Sequence, residues 1–235
     1  MNYKAVLLDL DDTLIASNKV YDKALKYSAD FLAEKYSLDS EEFYELAREK
    51  YSLISHNFPT VHTRHSRILL FRLALDETAK NYDIGVLPVV EDIYWDYFLQ
   101  NVKVFPEVKE TLKKIKEEGV LTAVVSDGDL SLRIRKVQSA GLLKYIDEVV
   151  ASEEVIFEKP FSAIFTLALS RLGVDPHEAV MVGNNYKNDI RGAKLVGIKA
   201  GVFSPEGGNI QMSDNGVKPD FVMKKFSELL KILSI

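Results

Sequence analysis

Ala5-Val-Leu-Leu-Asp-Leu-Asp-Asp-Thr-Leu14 is an apolar run that ends in carboxylates. Near-continuous apolarity, without the alternation of a half-exposed strand, is how a strand buried on both faces reads. AVLLDL (5–10) therefore predicts an inner strand of a parallel sheet. The same signature returns at LTAVVS (121–126), EVVAS (148–152), AVMVG (179–183), KAGVF (199–203) and DFVM (220–223). Helical segments are expected at 106–118, 130–140, 161–172, 187–196 and 226–233. All but the last are followed by a glycine, the usual residue just past a helix end: Gly119, Gly141, Gly173 and Gly197.

Strands alternating with helices define an α/β chain, here a Rossmann-like three-layer core built on a parallel sheet. Between the first strand and Phe105-Pro106 the pattern changes to helical periodicity, as in Ala24, Tyr27, Ser28, Phe31, Leu32 and Tyr36. No second strand is expected before Leu121. Two domains follow: an α/β core over 1–15 and 102–235, and a helical cap over 16–101. The glycine-bearing stretch 204–216 reads as the only long loop.

The 235 residues are 47% hydrophobic and carry a net charge of −5, which suits a buried core and gives no basic footprint for nucleic acid or anionic membrane. The absence of cysteine excludes disulfides, thiol catalysis and cysteine-ligated metal, so any metal is held by oxygen or imidazole. Acidic residues interrupt the first apolar run early, and neither a signal peptide nor a membrane span is expected. A cytoplasmic protein is the resulting expectation.

Open α/β sheets bind ligands beyond the carboxyl ends of their strands, so the residues at those ends matter most. The first strand delivers Asp9, Asp11, Asp12 and Thr13, and the second ends in Ser126-Asp127-Gly128-Asp129. Glu158-Lys159-Pro160 precedes a helix, and Met181-Val-Gly-Asn-Asn-Tyr-Lys-Asn-Asp189 follows the strand at 179–183. Each alone is ordinary. Asp11 and Asp12 serve as turn residues, Ser and Asp as helix caps, and Lys159 as a solvated side chain.

In this order, the four stretches resemble the motifs of the haloacid dehalogenase superfamily, in its phosphatase branch with a helical cap inserted after motif one. Asp9, Asp11 and Thr13 match its Asp-x-Asp-x-Thr, Ser126 its second motif, and Lys159-Pro160 its third. Gly183 and Asp189 match the fourth, with Asn184 in place of its first aspartate. The resemblance implies a phosphatase in which Asp9 is the nucleophile forming an aspartyl-phosphate, and Asp11 is the general acid and base. It makes Ser126, Asp127, Gly128 and Lys159 the phosphate holders, Thr13 a brace, and Asp12 a structural residue. A phosphate dianion among carboxylates requires a divalent cation, and Mg²⁺ suits an all-oxygen donor set. Its expected ligands are Asp9, the Asp11 carbonyl, Asn184 and Asp189. An amide at 184 supplies a dipole where an aspartate would supply a charge, so weaker metal binding is expected.

Within the cap, His62, Arg64 and His65 are candidate substrate contacts, weighed against a solvated first turn of the following helix that also includes Arg67. Tyr94, Trp95, Tyr97 and Phe98 are spaced as a packing stripe. The expected partner is a small phosphorylated metabolite such as a sugar phosphate, phosphoglycolate or nucleotide, bound by a monomer or homodimer. Two alternatives stand beside this reading. One is a weakened pocket-bearing binding or regulatory protein; the other is phosphomutase or haloacid dehalogenase-type activity on the same scaffold. Asp11 speaks against dehalogenation, because a departing halide needs no proton.

Overall fold

A computed structural model describes residues 3–79, 81–205 and 217–235. The chain divides into two compact units, Met1–Ala16 with Lys103–Ile235, and Ser17–Val102. Most of the expected long loop, 206–216, lies outside the described residues.

The first unit holds β1 (Ala5–Leu8), β2 (Ile15–Ala16), β3 (Lys103–Val104), β4 (Leu121–Ser126), β5 (Glu148–Ala151), β6 (Ala179–Gly183), β7 (Lys199–Phe203) and β8 (Phe221–Met223). Six of these form one parallel sheet in the order β5-β4-β1-β6-β7-β8. The α/β reading is correct, and β1 and β6 are buried along their whole length, as their apolar runs require. From β1 the chain builds outward through β4 to β5, then returns to place β6 on the other side of β1. The carboxyl end of β1 is thus a topological switch point, where neighbouring connections leave in opposite directions and open a crevice.

One face of the sheet buries Leu7, Val125 and Met181 against Ile164, Phe165 and Ala168, with Ile190 and Ala193 beside them. In the second unit, α1 (Asn18–Tyr36), α2 (Ser40–Asn57), α3 (Arg67–Thr78) and α4 (Val86–Asn101) pack on one another. The remaining helices belong to the first unit: α5 (Val108–Glu117), α6 (Leu130–Ser139), α7 (Ser162–Leu172), α8 (Gly192–Leu195) and α9 (Glu228–Leu233). Ile164, Phe165 and Ala168 thus lie on α7, and α5 packs on β4 and α9.

Three sequence expectations are corrected. Strands do occur before Leu121: β2 and β3 pair antiparallel, Ile15 with Val104 and Ala16 with Lys103, in segments of two residues that are too short to show a period. The helix expected at 187–196 begins as a π-helical turn, Tyr186–Arg191, and only Gly192–Leu195 is α-helical. Arg67 is not solvated. Its guanidinium carbon lies 4.7 Å from the Tyr94 ring centroid, 4.9 Å from Tyr51, 5.3 Å from Trp95 and 5.8 Å from Tyr21. Only 5% of the residue is exposed, because the aromatic stripe of α4 closes over it within this unit. Among the described residues no helix is long and apolar enough to cross a membrane.

The aromatic faces around Arg67 stabilise a desolvated cation by about 2 kcal/mol. Arg67→Gln is therefore expected to lower the thermal midpoint of this unit and to shift the emission of Trp95, the chain's only tryptophan. Unchanged melting and emission would show that the cage contributes nothing to the fold.

Candidate active site

Asp9 follows the last residue of β1, and its N–H continues the ladder by donating to the Val182 carbonyl at 2.9 Å. The chain then turns tightly: the Leu10 carbonyl accepts N–H groups from Thr13, Leu14 and Ile15 at 3.4, 3.0 and 3.2 Å. Asp12 takes the left-handed conformation in this turn, φ 58°, which a short acidic side chain tolerates. The turn brings Thr13, fully buried, back over Asp9, and Thr13 Oγ1 donates to Asp9 Oδ2 at 3.0 Å.

The other oxygen, Asp9 Oδ1, accepts from Lys159 Nζ at 2.7 Å. The same ammonium donates to Asp189 Oδ1 at 2.7 Å and to the Val125 carbonyl at 3.0 Å. One buried cation thus joins residues following β1 and β6 and the end of β4. Two carboxylates against one ammonium leave negative charge uncompensated. Burial pushes the Asp9 carboxyl up to about 7, against the pull of Lys159 and with the Asp189 charge adding to the rise. Burial raises Asp189 as well, again opposed by Lys159. Burial by itself would lower Lys159, yet Asp189 and Asp9 together hold it well above its ordinary value.

The loop after β6 is shaped to deliver Asp189. Asn185 Oδ1 accepts from the Asn188 N–H at 2.9 Å and caps the π-helical turn, within which Asp189 is buried. The Asn185 N–H donates to Asp189 Oδ2 at 2.9 Å. Gly183 is required by this approach, since a Cβ there would lie 2.3 Å from Asp189 Oδ2 and 2.5 Å from its Cβ. Asn184 is exposed at the carboxyl end of the strand.

Asp11 faces a different pair of cations. Its Oδ2 accepts from Arg133 Nη1 at 2.9 Å and from Lys136 Nζ at 2.8 Å, and its Oδ1 from Lys136 at 2.9 Å. Neither cation was among the sequence-derived candidates. The readable signal was a pair of cations three residues apart on α6, on the same side as Leu132 and Val137, where an amphipathic helix normally buries apolar residues.

Ser126 is buried at the end of β4. The two residues that follow it each bond within the protein, Asp127 through its side chain and Gly128 through its N–H. Asp127 Oδ1 accepts from the Lys159 N–H at 2.9 Å, so this side chain fixes the lysine loop. The Gly128 N–H is spent on Ser152 Oγ at 2.9 Å, a partner the sequence reading did not include. His62, Arg64 and His65 form a half-buried 3₁₀ turn before α3, with Arg64 Nη1 donating to the Pro59 carbonyl at 3.0 Å. They belong to the second unit.

The donor set can be tested against a cation. Asp9 Oδ1 and Asp189 Oδ1 already converge on one positive centre, and negative charge remains in excess around it. No group of three His, Cys, Asp or Glu side chains suited to a metal occurs among the described residues. A metal here must complete its shell with a backbone carbonyl, an amide and water. Those are hard oxygen donors of the kind Mg²⁺ takes, so the residues fit such an ion.

A parallel sheet with carboxylates and a buried lysine gathered at its switch point defines an α/β protein with its candidate site at the carboxyl edge. The family profile of the haloacid dehalogenase-like hydrolases matches residues 3–197. The chain is 33% identical over 209 residues to a ribulose-1,5-bisphosphate 5-phosphatase of Halopiger xanaduensis, covering 86% of this chain and 84% of that one. It is 32% identical over 238 residues to a glyceraldehyde 3-phosphate phosphatase of Methanopyrus kandleri, covering 98% and 97%. A solved 2-haloacid dehalogenase of Pseudomonas syringae superposes with a TM-score of 0.77 at 28% identity, over 99% and 98% of the chains. The chain belongs to the haloacid dehalogenase-like hydrolases, and with these relatives it stands as a phosphoric monoester hydrolase.

Overpacking a site of this density costs about 1–3 kcal/mol. Gly183→Ala is expected to lower stability to chemical denaturation by that amount and to reduce activity with it, because Asp189 must leave Lys159. Full activity in this variant would show that the close approach is dispensable.

Proposed function

We propose that the chain hydrolyses a small phosphomonoester through an aspartyl-phosphate on Asp9, with Mg²⁺ as cofactor. The observation that carries the reading is the convergence of Asp9, Lys159 and Asp189 at the switch point, with a second carboxylate, Asp11, two residues from the nucleophile. Asp9 attacks phosphorus and the bond from phosphorus to the ester oxygen breaks. Asp11 gives that oxygen a proton and then takes one from the water that attacks the aspartyl-phosphate, which releases inorganic phosphate and restores Asp9. Lys159 and Ser126 hold the phosphoryl oxygens and balance their charge.

The ion would be held by the Asp9 carboxylate, the Asp11 carbonyl, Asn184 and Asp189. When bound, it supplies the positive charge that lets a dianionic phosphate approach buried carboxylates. The relatives that act on phosphorylated sugars support the same substrate class for this chain. We assign the Ser17–Val102 unit the role of a cap that selects among such substrates, with His62, Arg64 and His65 as candidate contacts. The carboxylate at Asp11 favours phosphate over a halogenated acid despite the dehalogenase likeness.

Purified protein with Mg²⁺ is expected to release phosphate from members of a panel that includes ribulose 1,5-bisphosphate, glyceraldehyde 3-phosphate, phosphoglycolate and nucleoside monophosphates. Asp9→Asn is expected to cut the rate on the order of 10⁴-fold or more, the scale of losing a nucleophile. Silence across the panel, with no beryllium fluoride adduct on Asp9, would point instead to a binding protein. A full charge ~4 Å from a cation is worth several kcal/mol at an effective dielectric near ~20. Asn184→Asp is therefore expected to lower the Mg²⁺ concentration for half-maximal rate by tenfold or more, on the order of what that charge allows. An unchanged Mg²⁺ dependence would remove Asn184 from the ion's surroundings.

A further inference from the structure

We propose that Arg133 and Lys136 are positioning residues for Asp11, fixing its carboxylate where it exchanges a proton with the leaving oxygen. The proposal rests on the phosphatase reading above. Lys136 is fully buried and the Arg133 side chain is 3% exposed, whereas the Asp11 side chain between them and solvent is 24% exposed. Buried cations need acceptors, and the Asp11 carboxylate supplies both with three charge-assisted hydrogen bonds. Turning that carboxylate away would break those bonds inside the protein. Ion pairs of this kind add little net stability compared with apolar side chains of similar size. Their consequence is geometric: the acid is fixed in place.

Two further features serve the same contact. Helix α6 starts at a fixed point, because Asp129 Oδ1 accepts from the Leu132 N–H at 2.7 Å, and this sets the side chains at 133 and 136. Gly128 leaves open the space that Arg133 fills, since a Cβ there would lie 2.2 Å from Arg133 Nη2. The turn that follows Ser126 is therefore shaped around the Arg133 guanidinium. Through this pair, the helix that follows β4 reaches a carboxylate more than a hundred residues earlier in the chain.

The proton leaves the Asp11 carboxyl for the ester oxygen as the bond to phosphorus breaks. A phenol departs poorly without that proton, while the far more acidic p-nitrophenol departs as its anion. The test is kcat/KM with Mg²⁺ for phenyl phosphate and p-nitrophenyl phosphate, a constant that reports steps only up to loss of the phenol. Asp11→Asn, Lys136→Met and Arg133→Gln are each expected to lose roughly 10²-fold or more on phenyl phosphate and about tenfold or less on p-nitrophenyl phosphate. The double variant Asp11→Asn/Lys136→Met is expected to stay within about twofold of Asp11→Asn alone, because the cation acts only through the acid. Lys136→Arg, which keeps the charge, is expected to restore part of the loss on phenyl phosphate.

If Asp11→Asn discriminates between the two esters while both cation variants lower them equally, or if the double variant loses the product of the single effects, positioning by the pair is overturned. If Asp11→Asn itself does not discriminate, Asp11 is not the acid, and the proposal falls together with that reading. Thermal melting confirms that each variant is folded, and Arg133→Gln carries the same test where Lys136→Met does not fold.

Discussion

The ammonium of Lys159 is the constraint around which the first unit is arranged. It spans 150 positions to Asp9 and 30 to Asp189, and a carbonyl of β4 completes its contacts. Isolating any of the three charges in the interior would be costly, so each is tolerable only with the others in place. That requirement reaches into the backbone. The Lys159 N–H is held by Asp127, Asp189 is held by the Asn185 N–H, and the strand end beside it has no room for a Cβ at position 183. The sheet brings these loops to one edge, and the lysine sets how closely they approach.

The same edge keeps Asp9 and Asp11 on different partners. Asp9 is bound through Lys159 and Thr13, and Asp11 through Arg133 and Lys136. The roles proposed for them, nucleophile for Asp9 and proton carrier for Asp11, have opposite needs. The first must present an ionised oxygen to phosphorus, and the second must hold a fixed place while it gains and loses a proton. Drawing their partners from separate elements, the loop before α7 and the face of α6, lets each environment differ although the residues are two apart. The tight turn on the Leu10 carbonyl makes that separation possible by reversing the chain just beyond the strand end.

What the sequence made legible follows from the range of each interaction. The inner strands were readable because burial on both faces leaves an unbroken apolar run, and the helices because their apolar period is local. Ile15–Ala16 and Lys103–Val104 were not, since two residues carry no period and their pairing joins positions nearly ninety apart. The π-helical turn was hidden because Tyr186–Arg191 is only six residues and reads as the start of the helix that follows it. Asp9, Lys159 and Asp189 could be named from motif spacing. Ser152 could not, and Arg133 and Lys136 left only two cations on the apolar side of α6, because the partners of all three are brought near only by the tertiary fold. Arg67 was misread by the same route, as a charged residue at a helix start that tertiary packing buries among rings.

Asn184 changes the charge arithmetic of the edge in a way the rest of the site makes intelligible. With Lys159 already bound to both Asp9 and Asp189, a further cation meets two carboxylates whose charge is half offset by the ammonium. An aspartate at 184 would have tilted that balance strongly toward the ion. An exposed amide leaves it nearer neutrality. Under the proposed function the ion and the substrate phosphate would then depend on each other, because the phosphate would bring the negative charge that the protein withholds, and the ion would offset the repulsion the phosphate would otherwise meet. In the proposed mechanism such a site would favour holding metal and phosphate together over holding either alone, with a dipole at 184 where an aspartate would place a third fixed charge.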